Sequence, residues 1–400
     1  MTFGIDQRSG MFVRAAITTL LVTLITSYAK ADISKVEIDA IRTKPLLTQE
    51  HFDKITAFVN EQFTNMLTVK DSSKLTSIVR NLVGAAVGKN PRPEAKKTYS
   101  DCFSTAVKSI YKQTIQAARN HNDKNIGSNI KISTAVVLAH CDNTILIEDL
   151  AGLLQDDSEF IRYWAAKGLA GPRIQRYFTT NNTDVSALLQ TAVSALNTAL
   201  QKETSSFVIA QIAQAAPVNQ EGVKIIQGCV GRRVEQYQSW KVDNELNDWD
   251  IISKIFDMLN DSRLEDNEQI KNLAFNALKL FSVAYQRYTQ SMQYKDSDTM
   301  LPLLPETNQR ELATFLIRAE VELIRISKSD RRARFAVPIQ KRKWKELNVH
   351  YQSLIRVVNS YFKIFPENQD KPPMPTVGPP PAEITERAKT LKNIQSKSIK

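Results

Sequence analysis

Asp149 to Pro172 reads DLAGLLQDDSEFIRYWAAKGLAGP, and this stretch decides the fold. Leu150, Leu153 and Leu154 share one helical face, with Leu146 and Ile147 a turn earlier. Asp156, Asp157 and Ser158 interrupt the pattern. Ser158 or Asp157 is placed to cap the next helix, and Glu159 suits its positive end. Phe160, Ile161, Trp164, Ala165, Gly168 and Leu169 then recur at the spacing of one apolar helical stripe. Gly171 and Pro172 end it. The stretch is two short helices back to back.

A looser copy follows. Leu196 lies 46 positions after Leu150, and Leu200 and Gln201 match Leu154 and Gln155. One extra residue enters the loop. Phe207, Val208, Gln211, Ile212, Ala215 and Ala216 then fall on the positions of Phe160, Ile161, Trp164, Ala165, Gly168 and Leu169, and Pro217 ends the helix. A pair this short cannot bury its apolar face alone, so neighbours must stack on it.

The first copy, with Asp157, Phe160, Ile161, Arg162, Ala165, Ala166 and Leu169, resembles the second half of a HEAT repeat. The spacing falls within the roughly 40–47 residues of HEAT and armadillo units. The resemblance covers roughly residues 126–290. It implies a scaffolding or protein-binding role and specifies no partner.

Composition agrees with helices. Glycine is scarce, 12 in 400 residues, so tight β-turns are few, and no stretch alternates as a strand would. The expected fold class is all-α, an α-α superhelix or an irregular helical array. Helical stripes cover His51–Lys70, Leu75–Val87, Tyr99–Asn120 and Ile130–His140 before the repeats. Gly222–Trp240, Trp249–Leu259, Glu268–Tyr288, Arg310–Ser327 and Lys345–Phe365 follow them. Ala40–Thr48 and 291–306 read as connections. Seven prolines fall between Pro366 and Pro381, which predicts an extended segment outside the core, leading into a basic tail. The expected organisation is a leader over 1–31, a helical repeat domain over 32–290, a helical extension over 291–365 and a disordered Pro-rich tail over 366–400.

The leader reads as an export signal. Arg8 and Arg14 precede the apolar run Ala15–Tyr28, which is too short to span a membrane comfortably, and Ala29-Lys30-Ala31 is an A-x-A cleavage site. Translation starts at Met1 or Met11. Cleavage before Asp32 takes the net charge from +11 to +9, because Arg8, Arg14 and Lys30 leave with Asp6. The expectation is a periplasmic or secreted protein with no span after cleavage. Outside the cytosol Cys102, Cys141 and Cys229 leave two readings: one oxidised pair, with Cys102–Cys141 the nearer in the expected packing, or three reduced buried thiols.

Chemistry is harder to find. His51, His121, His140 and His350 are scattered, with no HExxH, no CxxC and no phosphate-binding glycine loop, so no cofactor or metal is expected. The feature that rises above background is Arg325–Lys345, RISKSDRRARFAVPIQKRKWK. Arg331, Arg332, Arg334, Lys341, Arg342, Lys343 and Lys345 surround Trp344, a combination suited to anionic groups on a polymer or partner protein. Export makes nucleic acid an unfavoured ligand. A weaker basic spot is Arg173 and Arg176 beside Tyr177. Two functional classes stand: a non-catalytic interaction protein, or an exported α/α-fold enzyme acting on polysaccharide through paired acidic groups. Oligomeric state is open.

Overall fold

The computed structural model describes residues 33–87, 93–179, 183–242, 244–293, 295–296, 299–300, 303–366, 374–384 and 386. The expected leader lies outside them. The chain is all-α and divides into two compact units, Met1–Val137 and Leu138–Lys400. A two-residue antiparallel ladder, Lys295–Asp296 with Thr299–Met300, interrupts the helices in the connection expected over 291–306.

The first unit holds α1 (Lys35–Arg42), α2 (Gln49–Thr68), α3 (Ser72–Val87), α4 (Pro93–Arg119) and the start of α5 (Lys124–Cys141). Helix α1 lies mostly in a stretch the sequence pattern leaves unassigned. It is short and capped by Ser34, with Ile38 and Ile41 buried. The stripe Ile55, Phe58, Val59, Phe63 and Met66 of α2 is buried, as are Tyr99, Phe103 and Val107 of α4. The hydroxyl of Tyr99 donates to the carbonyl of Ala85 (3.1 Å), and Arg42 donates to those of Gly84 (2.9 Å) and Ala85 (3.3 Å). These bonds satisfy carbonyls that the end of α3 leaves without helical partners.

The second unit is built from two rows of helices. One row runs α6 (Ile147–Leu153), α9 (Thr183–Lys202), α11 (Gln220–Gln238) and α13 (Asn267–Gln293). The other runs α7 (Glu159–Leu169), α10 (Ser206–Ala215), α12 (Asp248–Leu259) and α14 (Glu306–Ile326). A short α8 (Pro172–Tyr177) follows α7. Helices α15 (Ala336–Gln340) and α16 (Trp344–Phe362) close the chain, and α16 packs on α13 and α14. Residues 306–362 therefore fold back on 248–293 within this unit, across the position near 291 where the sequence suggests a boundary.

Each helix of the second row covers the apolar face of the next. Ile161, Ala165, Ala166 and Leu169 are buried on α7, and Val208, Ile209, Ile212 and Ala213 on α10. Side chains also staple the helix ends. Arg162 donates to Glu203 through Nε (2.6 Å) and Nη2 (3.0 Å), and through Nη1 to the carbonyls of Asp156 (2.9 Å) and Asp157 (2.8 Å). Glu203 in turn accepts the amides of Thr204 (3.0 Å) and Ser205 (2.9 Å) ahead of α10. Asn247, before α12, donates to the Ser206 hydroxyl (3.0 Å). At the other ends Gln175 donates to the carbonyls of Leu169 (3.0 Å) and Ala215 (2.9 Å).

Two local expectations need correction. The Ser158 side chain makes no capping bond, and Asp156, not Asp157, turns the loop by accepting the Ser158 amide (2.9 Å). Arg162 supplies the remaining order there. Phe160 and Phe207 do not face the core: they are 57% and 48% exposed. Each stands in the first turn of its helix, and the buried apolar stripe begins one residue later, at Ile161 and Val208.

Between the rows lies a sealed ionic cluster. Arg233 and Asp248 are both fully buried and meet at 2.5 Å, and Tyr237 donates to the other Asp248 oxygen (2.5 Å). Glu245 lies 3.4 Å from Arg287 and accepts from Asn308 (2.7 Å). Burial pushes the Tyr237 hydroxyl well up, and the Asp248 charge adds to the effect. Residues 374–381 form neither helix nor strand, and they do not lie wholly outside the core where the sequence placed them, because Val377 is 5% exposed against this unit.

Two outcomes follow. Asp248→Ala strands the Arg233 charge in the interior and should lower stability by roughly 3–5 kcal/mol in urea denaturation. For Glu203, burial alone would raise the carboxyl, but the Arg162 guanidinium and the two amides outweigh it and hold it below the ordinary glutamate range. A depressed carboxyl stabilises above its unfolded value, and that contribution is lost as pH falls through the folded value. Arg162→Gln should therefore cost roughly 1–3 kcal/mol at pH 7. The difference from wild type should shrink as the pH is lowered to about 3, read from denaturation midpoints.

Candidate functional site

The basic stretch between α14 and α16 is held on a rigid base. Glu320, buried on α14, accepts the backbone amides of Arg334 (2.9 and 3.0 Å) and Phe335 (2.8 Å). Burial raises the Glu320 carboxyl, and these amides with the Arg331 and Arg334 charges oppose the rise. Phe335 is fully buried, 5.7 Å from the ring of Phe281 and 6.5 Å from that of Tyr285. Tyr285 stacks on Tyr351 at 4.0 Å, so the loop ends in an aromatic cluster between α13 and α16.

The predicted cationic residues then part into two groups. Arg331 turns inward. Its Nη2 donates to the carbonyl of His350 (2.9 Å) and lies 4.0 Å from Glu320. It braces the loop, and burial lowers its pKa. Arg332, Arg334, Lys341, Arg342, Lys343 and Lys345 are exposed. Lys343 shares its charge with Glu346 (3.2 Å). Trp344 is half-buried, edge-on to Tyr288 at 5.9 Å. Its ring supports the loop against α13. Arg342 adopts φ 53°. Its amide bonds the carbonyl of Ile339 (3.2 Å), and the amide of Lys343 bonds that of Pro338 (2.8 Å). This is the Schellman end of α15, with arginine where glycine is usual.

The second basic spot has a different role. Arg176 lines an open cavity of about 380 Å³ with Gln175, Gln214, Lys254, Asp257 and Arg263. Lys254 is 8% exposed, and its ammonium donates to the side-chain amide oxygen of Gln175 at 3.5 Å. Burial lowers its pKa to about 8. The cavity lies where the C-terminal ends of α7 and α10 come together, so these cations sit among helix-end carbonyls that favour positive charge.

The acidic pairs offer little to a substrate. Asp248 and Glu245 are closed from solvent and held by Arg233, Tyr237, Arg287 and Asn308. Of Asp156 and Asp157, one turns a loop and the other lends its carbonyl to Arg162. The histidines are apart: the His51 ring accepts the Thr48 amide, His121 that of Asp123, His140 packs at 5.4 Å from Trp164, and His350 lies 3.8 Å from Glu346. Among the described residues no three metal-ligating side chains gather. No disulfide joins Cys102, Cys141 and Cys229 to one another, and burial pushes the Cys102 thiol up to about 11.

Sequence reasoning missed one surface feature. Phe160, Phe207 and Trp249 each take the second position of a helix in the same row, and the Arg162–Glu203 and Asn247–Ser206 bonds join the ends that carry them. Phe160 and Phe207 are exposed, while Trp249 is half-buried with Arg318 at 5.8 Å over its ring. The sequence match of Phe160 with Phe207 was the available signal; the reading of both phenylalanines as core concealed it.

Replacing Arg342 by glycine should relieve its left-handed backbone and raise stability by about 0.5–1 kcal/mol, measured as a shift in the urea midpoint. No known protein-family model matches the chain, and no curated protein compared with it is similar enough to suggest a relative.

Proposed function

We propose that this chain is an exported, non-catalytic interaction protein that uses a HEAT-like array as a scaffold and binds an anionic envelope polymer, or an acidic face of a partner protein, through its basic loop. The observation that carries the reading is the clamped loop. Glu320, Arg331 and Phe335 fix the backbone, while Arg332, Arg334, Lys341, Arg342 and Lys345 project into solvent. A cationic surface whose backbone is already ordered loses less entropy when a polyanion binds than a floppy one would. Arginine forks add bidentate bonds to sulfate, phosphate or carboxylate. The two rows of helices, with helix ends stapled at matching positions, support the scaffold part. The leader pattern Ala15–Ala31 supports export. No helix among the described residues is long and apolar enough to cross a membrane.

The test replaces Arg332, Arg334, Lys341, Arg342 and Lys345 together with glutamine and leaves the structural Arg331 in place. Affinity for an immobilised polyanion at low salt should fall by roughly tenfold or more, and wild-type binding should itself weaken as salt is raised. Unaltered retention by the folded variant defeats the reading.

A further inference from the structure

The segment 374–381 lies along α13 and the end of α11, and side chains read its main chain. Gln286 uses both ends of its amide: Nε2 donates to the Pro375 carbonyl (2.8 Å) and Oε1 accepts the Val377 amide (3.0 Å). Gln290 donates to the Val377 carbonyl (2.9 Å). Gln238 donates to that of Thr376 (3.2 Å), and the Trp240 indole N–H to that of Gly378 (3.0 Å). Between these bonds the Val377 side chain is buried.

The spacing has a geometric reason. Gln286 and Gln290 are one helical turn apart, an advance of about 6 Å along α13. Two residues of an extended or polyproline-like chain advance about 6–7 Å. Glutamines four apart on a helix therefore meet alternate residues of an extended peptide. Gln286 satisfies residue 375 and residue 377 in this way. Gln290, in the same relation to 377 and 379, satisfies only 377. Its Oε1 is buried and receives no donor. Position 379 is proline and has no N–H to give.

Trp240 is the other unusual element. It holds φ 58° at the Schellman end of α11, where its amide bonds the Tyr237 carbonyl (3.2 Å) and the amide of Lys241 bonds that of Gln236 (3.0 Å). A bulky residue there is a genuine outlier. That backbone sets the indole over Arg287 (5.0 Å) and directs its N–H at the peptide.

We propose that this groove is a receptor site for an extended, uncharged peptide segment, and that residues 375–378 are a built-in, imperfect occupant of it. The partner ligand carries a small β-branched side chain in the Val377 position and a non-proline residue two places later, whose N–H fills the bond that Pro379 leaves unmade. Main-chain bonds supply most of the hold, and the Val377 pocket supplies the choice of side chain. This deepens the binding reading by naming a peptide ligand, and it rests on that reading only in requiring recognition without chemistry; it uses no residue of the basic loop.

The test uses the full chain with Val377→Asp, which frees the groove without altering a helix. Two labelled peptides spanning 372–382 are titrated by fluorescence anisotropy, one of native sequence and one with Pro379→Ala. Both should bind, the second about three- to tenfold tighter, and adding Gln286→Ala to the protein should remove binding while circular dichroism stays helical. Wild-type protein should bind each peptide more weakly than the Val377→Asp protein, because its own segment competes. In the intact chain Pro379→Ala should slow amide hydrogen exchange at Val377 several-fold. Equal affinity of the two peptides, or binding that survives Gln286→Ala, overturns the proposal. Retention on the polyanion, governed by the basic loop, is read separately, so each idea can fail without the other.

Discussion

Helix α10 is ten residues long and has almost no face of its own to show to water. Ser206, Val208, Ile209, Ala210, Ile212, Ala213 and Ala215 are all buried. A helix this short is marginal in isolation. It persists because α7 covers one side and α12 the other, and α12 depends in the same way on α10 and α14. Mutual cover between successive short helices is the constraint from which the rest of the second unit follows. It explains why the ends are stapled by Arg162, Glu203, Asn247 and Gln175, since a pair that slid would uncover both members.

Those same stripes were what the sequence disclosed. Buried positions repeat at helical spacing, and a hydrophobic stripe is visible without knowing what covers it: Ile161, Ala165, Leu169, Val208 and Ile212 could be read directly. The exposed Phe160 and Phe207 could not, because periodicity marks a face and does not show which of two adjacent apolar residues a neighbour covers. The basic loop was legible as composition. Its division into an inward Arg331 and outward neighbours was not, because Glu320 lies on a different helix and looks like ordinary surface charge in the sequence. The docked segment was the least legible part. Prolines announce an extended chain, but the receptors are glutamines and one tryptophan, residue types that carry no pattern until α11 and α13 lie side by side.

Charge in this unit is used in two opposite ways. Arg233, Asp248, Glu245 and Arg287 are closed off between the rows, where their mutual geometry fixes how α11, α12 and α13 meet. Such a cluster adds little net stability over well-packed apolar residues, but each member becomes indispensable to the others. The loop cations are the reverse: individually dispensable for folding and available to solvent. Arg331 is the exception that links the two uses, since a charge of the basic stretch has been drawn inward to hold the stretch in shape.

Among the described residues, three helices end in the Schellman arrangement with Trp240, Lys328 and Arg342 in the left-handed position that glycine usually fills. Glycine at these ends would have made the turns easier, yet it would also have given the denatured chain more conformations to surrender. By turning its corners with larger side chains, the protein accepts local strain when native and starts from a less disordered denatured ensemble. Part of the native strain is therefore offset in a state that no contact in the native fold reveals.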